Sequence, residues 1–314
     1  MTLSVKFFKR LFLFILILMI AIPSVLAIYY GVSYGKVQQD VETQQIELAD
    51  LRNKLEAAQQ ELSWARQQLE GGGAGQILPD GTGPAYQSLY PDLYCEPQRP
   101  NGWERPENTV YLTFNDGPSD NTDTILDILA QNNVKATFFV TGKTDEDSLN
   151  RMKRIVNEGH TIGVYTYSGQ YRDIYASIPA YLEDFQRIYT LIYETTGVKP
   201  EIFRFVGGSI NGYNGLIYQP LIAEMLRRGF TYYDWDAAGG DNLQSATVAS
   251  IQENVLKGVT GKDRAIILLH DGTGYTATAE ALSGVITKVR EQGLEFAPLT
   301  SKVTPIIFGY DSIP

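Results

Sequence analysis

The residues best placed to do chemistry lie in residues 113–119. An apolar strand is predicted over residues 110–114, and it ends at Asn115 and Asp116. A Gly117-Pro118 break follows directly. The carboxyl end of a strand, followed by a turn, is where α/β folds place reactive side chains. Asp116 can bind a metal ion or a proton, but the neutral amide of Asn115 cannot act as a general base near neutral pH. The sequence therefore predicts a site with an uncharged residue at its centre.

Two more candidates lie at or beside the ends of predicted strands. Arg204 lies in the predicted strand 202–205, and His270 ends the predicted strand 266–270. On a barrel of parallel strands, both would converge with Asp116 on one face. Taken singly, each has a structural interpretation, since Asp116 can shape the turn and Arg204 can be an ion-pair partner.

Short apolar strands alternate with helices over the second part of the chain. Strands are predicted at residues 109–114, 137–140, 160–165, 202–205, 232–234, 266–270 and 296–299. Helices are predicted at residues 121–132, 148–158, 178–195, 216–228, 245–257 and 278–292. This alternation is typical of parallel strands with crossover helices, as in a barrel or a doubly wound sheet. Because the strands are many and the domain is short, we expect an α/β fold of the (β/α) barrel type.

Composition excludes one class of partner. The 314 residues carry a formal net charge of −10, so no basic surface is expected to neutralise nucleic-acid phosphates. Cys95 is the only cysteine, which excludes an intramolecular disulfide and a cysteine-based metal site.

The N-terminus has the pattern of a membrane anchor. Lys6, Lys9 and Arg10 precede an uncharged apolar run. That run of about 20 residues can cross a bilayer, and basic residues on its amino side keep the N-terminus cytoplasmic. We expect a cytoplasmic basic tail at residues 1–10 and a transmembrane signal anchor at residues 11–32. A cleaved signal peptide is the alternative, since residues 25–27 resemble a cleavage site. Either way the remainder is extracytoplasmic, at the surface of a bacterial cell membrane.

A heptad pattern follows the anchor. Val41, Leu48, Leu55, Leu62 and Leu69 recur every seven residues, and Leu51, Ala58 and Ala65 lie three positions after the middle three. This pattern predicts a coiled-coil stalk at residues 36–70 that can form a homodimer. The alternative is a single amphipathic helix. A Gly/Pro-rich linker is predicted at residues 71–85, and the globular domain at residues 86–314.

The globular region resembles the polysaccharide deacetylase family, the NodB-homology domain of the carbohydrate-esterase type. The resemblance covers residues 110–299 and rests on five segments in the order of that family, which are residues 113–117, 159–169, 203–209, 234–241 and 266–271. It implies a distorted (β/α) barrel and the hydrolytic removal of N- or O-acetyl groups from glycans.

The resemblance also implies roles for individual residues. Members hold zinc with an Asp of the first segment and two His four residues apart in the second, and the metal activates a water. Asp116, Arg204, Asp241 and His270 keep the family residue. The base position holds Asn115, the two histidine positions hold Tyr165 and Gly169, and Val206 replaces the usual proline after the Arg.

These departures argue against a bound metal. A zinc site needs three protein ligands of His, Cys or carboxylate type, and glycine offers none. Neither of the two histidines, His160 and His270, occupies a metal-ligand position. We therefore expect no cofactor, in contrast to the zinc of active members, and we expect His160 to be structural.

Three functions are compatible with the sequence. The first is a catalytically degenerate module that binds or regulates cell-wall glycan of the peptidoglycan type. Its predicted sugar contacts are the aromatic residues Tyr165, Phe205, Tyr213 and Trp235, for which packing is the alternative. The second is an active metal-dependent deacetylase that removes N- or O-acetyl groups. The third is a scaffold in which the coiled coil carries the function.

Overall fold

Eight parallel strands form one sheet in the computed structural model, which describes residues 83–96 and 102–308. The strands are β1 (Thr109–Asn115), β2 (Thr137–Thr141), β3 (Thr161–Thr166), β4 (Ile202–Phe203), β5 (Thr231–Tyr232), β6 (Ala237–Ala238), β7 (Arg264–His270) and β8 (Glu295–Phe296). They are ordered β5-β4-β3-β2-β1-β7-β6, and β8 pairs with the beginning of β1. In the described part of the chain, β5 and β6 are the ends of this order, so the sheet is an open, half-closed barrel.

Strand β1 lies at the centre of the sheet because it is apolar on both faces. All of its residues are buried, as expected for a parallel strand covered on both sides. Its register with β7 places Asn115 opposite His270, and its register with β2 places Asn115 opposite Phe139. The residues at the carboxyl ends of these strands are therefore neighbours at one edge of the sheet.

Within the described ranges, a short 3-10 helix (Ala85–Ser88) precedes the strands, and seven α-helices connect or follow them. They are α1 (Asp120–Gln131), α2 (Glu146–Asn157), α3 (Tyr171–Ile174), α4 (Ile178–Thr196), α5 (Tyr218–Arg227), α6 (Val248–Val259) and α7 (Thr276–Glu291). Helix α1 begins at Ser119, whose side chain forms a capping box with Thr122. Because Ser119 lies directly after Pro118, helix α1 begins within one turn of the candidate site.

The predicted elements agree with the observed ones apart from their ends and two short additions. The sequence did not reveal β6 or α3, which have two and four residues. The strand predicted at residues 202–205 is shorter in the structure, because its pairing with the neighbouring strands ends at Phe203. Gly207 and Gly208, which have φ of 78° and 91°, turn the chain away shortly afterwards.

The beginning of the domain is held by a buried arginine that follows α5. Arg228 is fully buried, and its guanidinium donates to backbone oxygens of Tyr86, Leu89, Tyr90 and Leu93 at 2.8–3.4 Å. Its Nε donates to Glu224 at 2.7 Å. These bonds fix residues 84–95 near the start of β5, which is the end of the sheet opposite the candidate site.

The predicted tail, anchor and stalk at residues 1–10, 11–32 and 36–70 lie outside the described residues, as does most of the predicted linker 71–85. Within residues 83–96 and 102–308, no helix combines the length and apolarity needed to span a bilayer.

Candidate functional site

Asn115, at the end of β1, is held by the arginine after β4. Asn115 is 2% exposed, and its Oδ1 accepts a hydrogen bond from Arg204 Nη1 at 3.0 Å. The same Nη1 donates to Thr113 Oγ1 at 2.8 Å. Since residues 113 and 115 share one face of the strand, β1 presents both acceptors to the guanidinium.

Arg204 itself is completely buried among neutral acceptors. Its Nε donates to the backbone oxygen of Tyr233 at 2.8 Å, and its Nη2 donates to that of Asp234 at 3.2 Å. Its guanidinium carbon lies 4.4 Å from the centroid of the Phe139 ring. Burial lowers the pKa of Arg204 to about 10, although the nearby Asp234 charge opposes the shift. A buried cation thus faces an uncharged amide at the position where the family resemblance implies a carboxylate.

Asp116 is half-buried and adopts a left-handed backbone conformation, with φ of 72°. Burial raises the pKa of its carboxyl group, while the positive charges of His270 and Lys143 oppose that shift. The hydroxyl of Tyr275 is hydrogen-bonded to this carboxyl group. The side chain after β1 is therefore a carboxylate that solvent or a ligand can reach.

His270, at the end of β7, forms a pair with Asp241. Its Nδ1 lies 2.9 Å from Asp241 Oδ1, and its backbone N–H donates to Asp241 Oδ2 at 2.7 Å. The hydroxyl of Thr278 donates to the same Oδ2 at 2.7 Å. Burial by itself lowers the pKa of His270, but the Asp241 hydrogen bond and the surrounding carboxylate charges raise it overall. Asp241 thus fixes the orientation of an imidazole that faces Asp116.

The carboxyl group of Asp271 lies directly behind the turn after β1. It is fully buried, and its Oδ2 accepts from Thr122 Oγ1 at 2.7 Å. A Cβ atom at Gly117 would lie 2.2 Å from that oxygen, so only glycine fits there. Burial raises the pKa of Asp271 to about 7. The sequence analysis gave this residue no role, although it follows His270 directly.

The two positions where the family resemblance implies histidines are arranged differently from each other. Tyr165, near the end of β3, is 7% exposed, and its hydroxyl is hydrogen-bonded to the Gly207 N–H and to the Tyr171 hydroxyl. Burial raises the pKa of Tyr165 well above its ordinary value. Gly169 is exposed, has φ of 69°, and has no atom within 4 Å of where a Cβ would lie.

The residues present do not fit the zinc ion that the family resemblance implies. Within the described ranges, no group of three or more His, Cys, Asp or Glu side chains is arranged to hold a metal. Tyr165 remains a neutral phenol, and Gly169 supplies no ligand atom. Metal-assisted activation of water therefore has no support in this geometry.

His160 lies away from these residues and serves the fold. It is 6% exposed and precedes β3, and its Nδ1 accepts the Ala136 N–H at 3.1 Å. Its ring packs edge-on against Phe138, with centroids 5.5 Å apart. Burial lowers the pKa of His160 to about 4, so its imidazole is neutral at physiological pH. This agrees with the structural role expected from the sequence.

The four predicted aromatic contacts separate into different environments. The prediction for Phe205 is wrong, because its ring is 1% exposed and packs within 5.5 Å of the rings of Phe203, Tyr232 and Tyr181. The ring of Tyr165 is buried too, so only its hydroxyl contributes to the site.

The other two aromatic residues are accessible. Trp235 is half-buried, with its ring 4.9 Å from that of Phe308 and 5.5 Å from the Arg204 guanidinium. Tyr213 is 37% exposed and contacts Tyr171, with ring centroids 5.0 Å apart. These are the aromatic surfaces that a sugar ring could contact.

Besides Asp271, three contributors to the site had no role predicted from the sequence. Tyr275 stacks on His270, with centroids 5.0 Å apart, and also bonds Asp116. Tyr171 reaches Tyr165 from helix α3, and Lys143 follows β2 and donates to the Pro118 oxygen at 2.6 Å. For Lys143, its position just after a predicted strand was an available signal. The two tyrosines lie in connections that have no periodic pattern.

An open parallel half-barrel with Asp, Arg and an Asp–His pair at its carboxyl edge defines a polysaccharide-deacetylase type of site. The polysaccharide deacetylase family model matches residues 103–221. A peptidoglycan-N-acetylglucosamine deacetylase of Bacillus cereus is 31% identical over 205 residues, which are 64% of this chain and 71% of that protein. The chain belongs to the polysaccharide deacetylase family.

Solved structures agree with this assignment. The catalytic domain of peptidoglycan N-acetylglucosamine deacetylase from Eubacterium rectale has 32% identity and a TM-score of 0.62, over 68% of this chain and 97% of that one. A Bacillus anthracis protein described as a CE4 family pseudoenzyme has 23% identity and a TM-score of 0.54, over 66% of this chain and 69% of that one. The second likeness concerns the fold alone.

Proposed function

We propose that this chain is a catalytically degenerate polysaccharide deacetylase that binds glycan of the peptidoglycan type at the cell envelope. The observation that carries the proposal is the bond from Arg204 Nη1 to Asn115 Oδ1 at 3.0 Å. A buried amide at the base position cannot take a proton from water. Tyr165 and Gly169 stand where the family resemblance implies histidines. They cannot hold the metal that would lower the pKa of that water. Loss of both the general base and the metal would lower the rate of hydrolysis by many orders of magnitude.

Binding is supported by what the site keeps. Half-buried Trp235 and exposed Tyr213 offer rings on which sugars stack. Asp116 and the hydroxyls of Tyr171 and Tyr275 offer hydrogen-bonding groups at the same edge of the sheet. We further propose that a membrane anchor at residues 11–32 and a dimeric coiled coil at residues 36–70 present the domain outside the cell.

The alternative is an active metal-dependent deacetylase. The intact pair of His270 and Asp241 favours it, because this is the geometry of a general acid held in one orientation. Two of the three similar proteins, those of Bacillus cereus and Eubacterium rectale, are also named as deacetylases. This alternative needs metal ligands beyond Asp116, and the described residues do not present them.

Metal content and acetate release distinguish the two functions. We expect the purified ectodomain to contain no stoichiometric zinc, to release no acetate from peptidoglycan or chitin oligomers, and to bind at least one of them. Stoichiometric zinc with acetate release would overturn the proposal in favour of the alternative. Absence of both activity and binding would also overturn it, and would leave the coiled-coil scaffold.

Restoring the residue types implied by the family resemblance tests whether only the catalytic groups are missing, with the substrate-binding surface intact. The triple variant Asn115→Asp, Tyr165→His and Gly169→His restores the ligand and base types that the family resemblance implies. We expect it to gain zinc and measurable deacetylation if the substrate-binding surface is intact. The single variant Asn115→Asp is the matched control, and it should gain neither.

A further inference from the structure

The carboxylate of Asp116 lies among three tyrosine hydroxyls at the carboxyl edge of the sheet. Tyr275 bonds it directly, while Tyr165 and Tyr171 bond each other and lie close enough for the Asp116 charge to act on both. Burial raises the pKa of each of these three phenols, so they stay protonated and uncharged. Asp116 therefore has phenol neighbours, whereas the family resemblance implies two imidazoles beside this carboxylate.

The charged groups around Asp116 are already engaged elsewhere. The groups that face it are Tyr275, His270, Lys143, Asp241 and Asp271. The Lys143 ammonium donates to the Pro118 oxygen at 2.6 Å, and His270 Nδ1 is paired with Asp241 at 2.9 Å.

Asp116 takes no part in the ion pairs that the described residues form. Those pairs use the carboxylates of Asp120, Asp123, Asp127, Glu158, Glu224, Asp236 and Asp241. Asp116 is half-buried and therefore reachable, and a cationic ligand group can pair with it directly, whereas the His270 and Lys143 charges act on it without forming an ion pair.

We infer that this cluster binds the protonated primary amine of a de-N-acetylated aminosugar, an inference that rests on the proposed glycan binding and names its ligand. An ammonium group offers three N–H donors to an acceptor-only carboxylate, whereas an acetamide offers one. Aromatic faces also attract a cation. The reaction class that supplies this ligand is hydrolytic N-deacetylation of a glycan, which by its stoichiometry leaves a free amine.

The rim of the site suits an oligosaccharide longer than one sugar. Tyr213, Leu216 and Leu243 are 37%, 50% and 58% exposed. They lie in the loops after β4 and β6, which leave the same edge of the sheet. Apolar surface of this kind stacks on sugar faces, and the net charge of −10 adds long-range attraction for a polycationic glycan.

Calorimetric titration of the full ectodomain tests the inference. The probes are glucosamine pentamer and N-acetylglucosamine pentamer at about pH 5.5, where the amines of such an oligomer are largely protonated. Physiological salt suppresses unspecific attraction. We expect the glucosamine pentamer to bind at least about ten-fold more tightly.

Two variants and one competitor separate Asp116 from general charge. Asp116→Asn should abolish the preference, while Glu253→Gln, an exposed carboxylate on α6 with the same charge change, should retain it. Pentalysine, which carries ammonium groups without sugar rings, should not displace the glucosamine pentamer.

Each outcome has a defined meaning. Equal or tighter binding of the acetylated pentamer would overturn the amine assignment and leave the proposed glycan binding intact. Binding of neither sugar would overturn both. An unchanged preference in Asp116→Asn, or displacement by pentalysine, would overturn the role of Asp116 as the group that recognises an aminosugar.

Discussion

At the scale of single residues, one oxygen-to-nitrogen difference at position 115 changes the electrostatics of the whole site. A carboxylate there would neutralise Arg204, whereas the amide gives the guanidinium a neutral acceptor at 3.0 Å. A hydrogen bond between two charged groups contributes more than one between a charged and a neutral group. Arg204 has a structural role as well, because its other bonds, to Tyr233 and Asp234, connect the end of β4 to the segment after β5.

Asn115→Asp should therefore stabilise the protein at neutral pH. The Arg204 charge would hold the pKa of the new carboxyl below its unfolded value, so the stabilisation exists above that value and is lost as the pH falls through the folded pKa. We expect the free energy of unfolding in urea to rise by about 1 kcal/mol at neutral pH.

The control for this prediction is Asn115→Leu, which has a similar shape but no acceptor. It should lower the free energy of unfolding by about 1–3 kcal/mol, because a buried donor of Arg204 loses a partner. A gain for Asn115→Asp that persists at strongly acidic pH would contradict the ion-pair explanation.

His160 should make stability depend on pH. Its pKa lies near 4 in the folded chain against an ordinary value of 6.5, so the unfolded chain binds the proton first and stability falls as the pH drops between these values. His160→Asn keeps an acceptor for the Ala136 N–H but cannot be protonated. Between about pH 7 and pH 4.5, its unfolding free energy should fall by about 2 kcal/mol less than that of the unchanged chain. Parallel pH profiles for both proteins would contradict this role.

At the scale of elements, the candidate site and the N-terminal segment of the domain lie at opposite edges of the same sheet. The carboxyl ends of β1, β3 and β7 carry Asp116, Tyr165 and His270, while Arg228 holds residues 84–95 near the start of β5. The two ends are therefore separated by the length of the strands, and changes at one should leave the other intact.

Arg228→Met should detach this N-terminal segment. The change removes the bonds to the backbone oxygens and leaves the buried Glu224 carboxylate with Arg227 alone. Breaking a buried ion pair costs about 3–5 kcal/mol, and amides of residues 84–95 should exchange faster with deuterium. Arg227→Met is the control: its side chain is 36% exposed, and although it also donates to Tyr94 and to the Gln87 oxygen of this segment, its loss should cost only about 1 kcal/mol. Equal losses of stability in the two variants would contradict the role of Arg228 in holding the N-terminal segment.

Gly169 lies in the loop after β3, in a backbone conformation that favours glycine. Its φ of 69° suits glycine, although no neighbouring atom would obstruct a Cβ. Gly169→Ala should cost about 1 kcal/mol of stability from backbone strain alone. Gly215→Ala is the control, because that position has open space without positive φ and should be neutral or stabilised. Thermal denaturation of both variants measures the difference in their stability. Equal midpoints would contradict backbone strain in Gly169→Ala.

At the scale of the whole molecule, the proposed glycan binding requires the domain to lie outside the cell, and the anchor predicted at residues 11–32 would hold it there. The full chain should sediment with membranes and resist alkaline extraction, whereas a chain without residues 1–35 should be soluble. Cleavage after residue 27, detected by N-terminal sequencing of the mature protein, would instead show that this segment is a signal peptide.

Much of the fold could be predicted from the sequence because local patterns and long-range contacts agree. The strands β1 and β7 and the helices α1 and α4 were predicted from their apolar patterns within about two residues. Two-residue strands such as β6 have no period to detect, and they exist only because β7 lies beside them. Closure of the barrel also depends on tertiary packing, and β5 and β6 remain apart in the observed strand order.

The sequence by itself determined which residue types stand at the positions that the family resemblance assigns to the base and the two histidines. Asn115 at the base position and Tyr165 and Gly169 at the histidine positions are facts of residue type, and no fold can give an amide or a glycine the properties of a carboxylate or an imidazole. Only the tertiary structure decided what took their place. It buried Phe205 in the core, against the prediction that it contacts sugar, and it brought Tyr171, Tyr275 and Lys143 to Asp116 from three separate connections. Side chains from distant loops meet through the register of parallel strands, and that register depends on packing across the sheet as a whole.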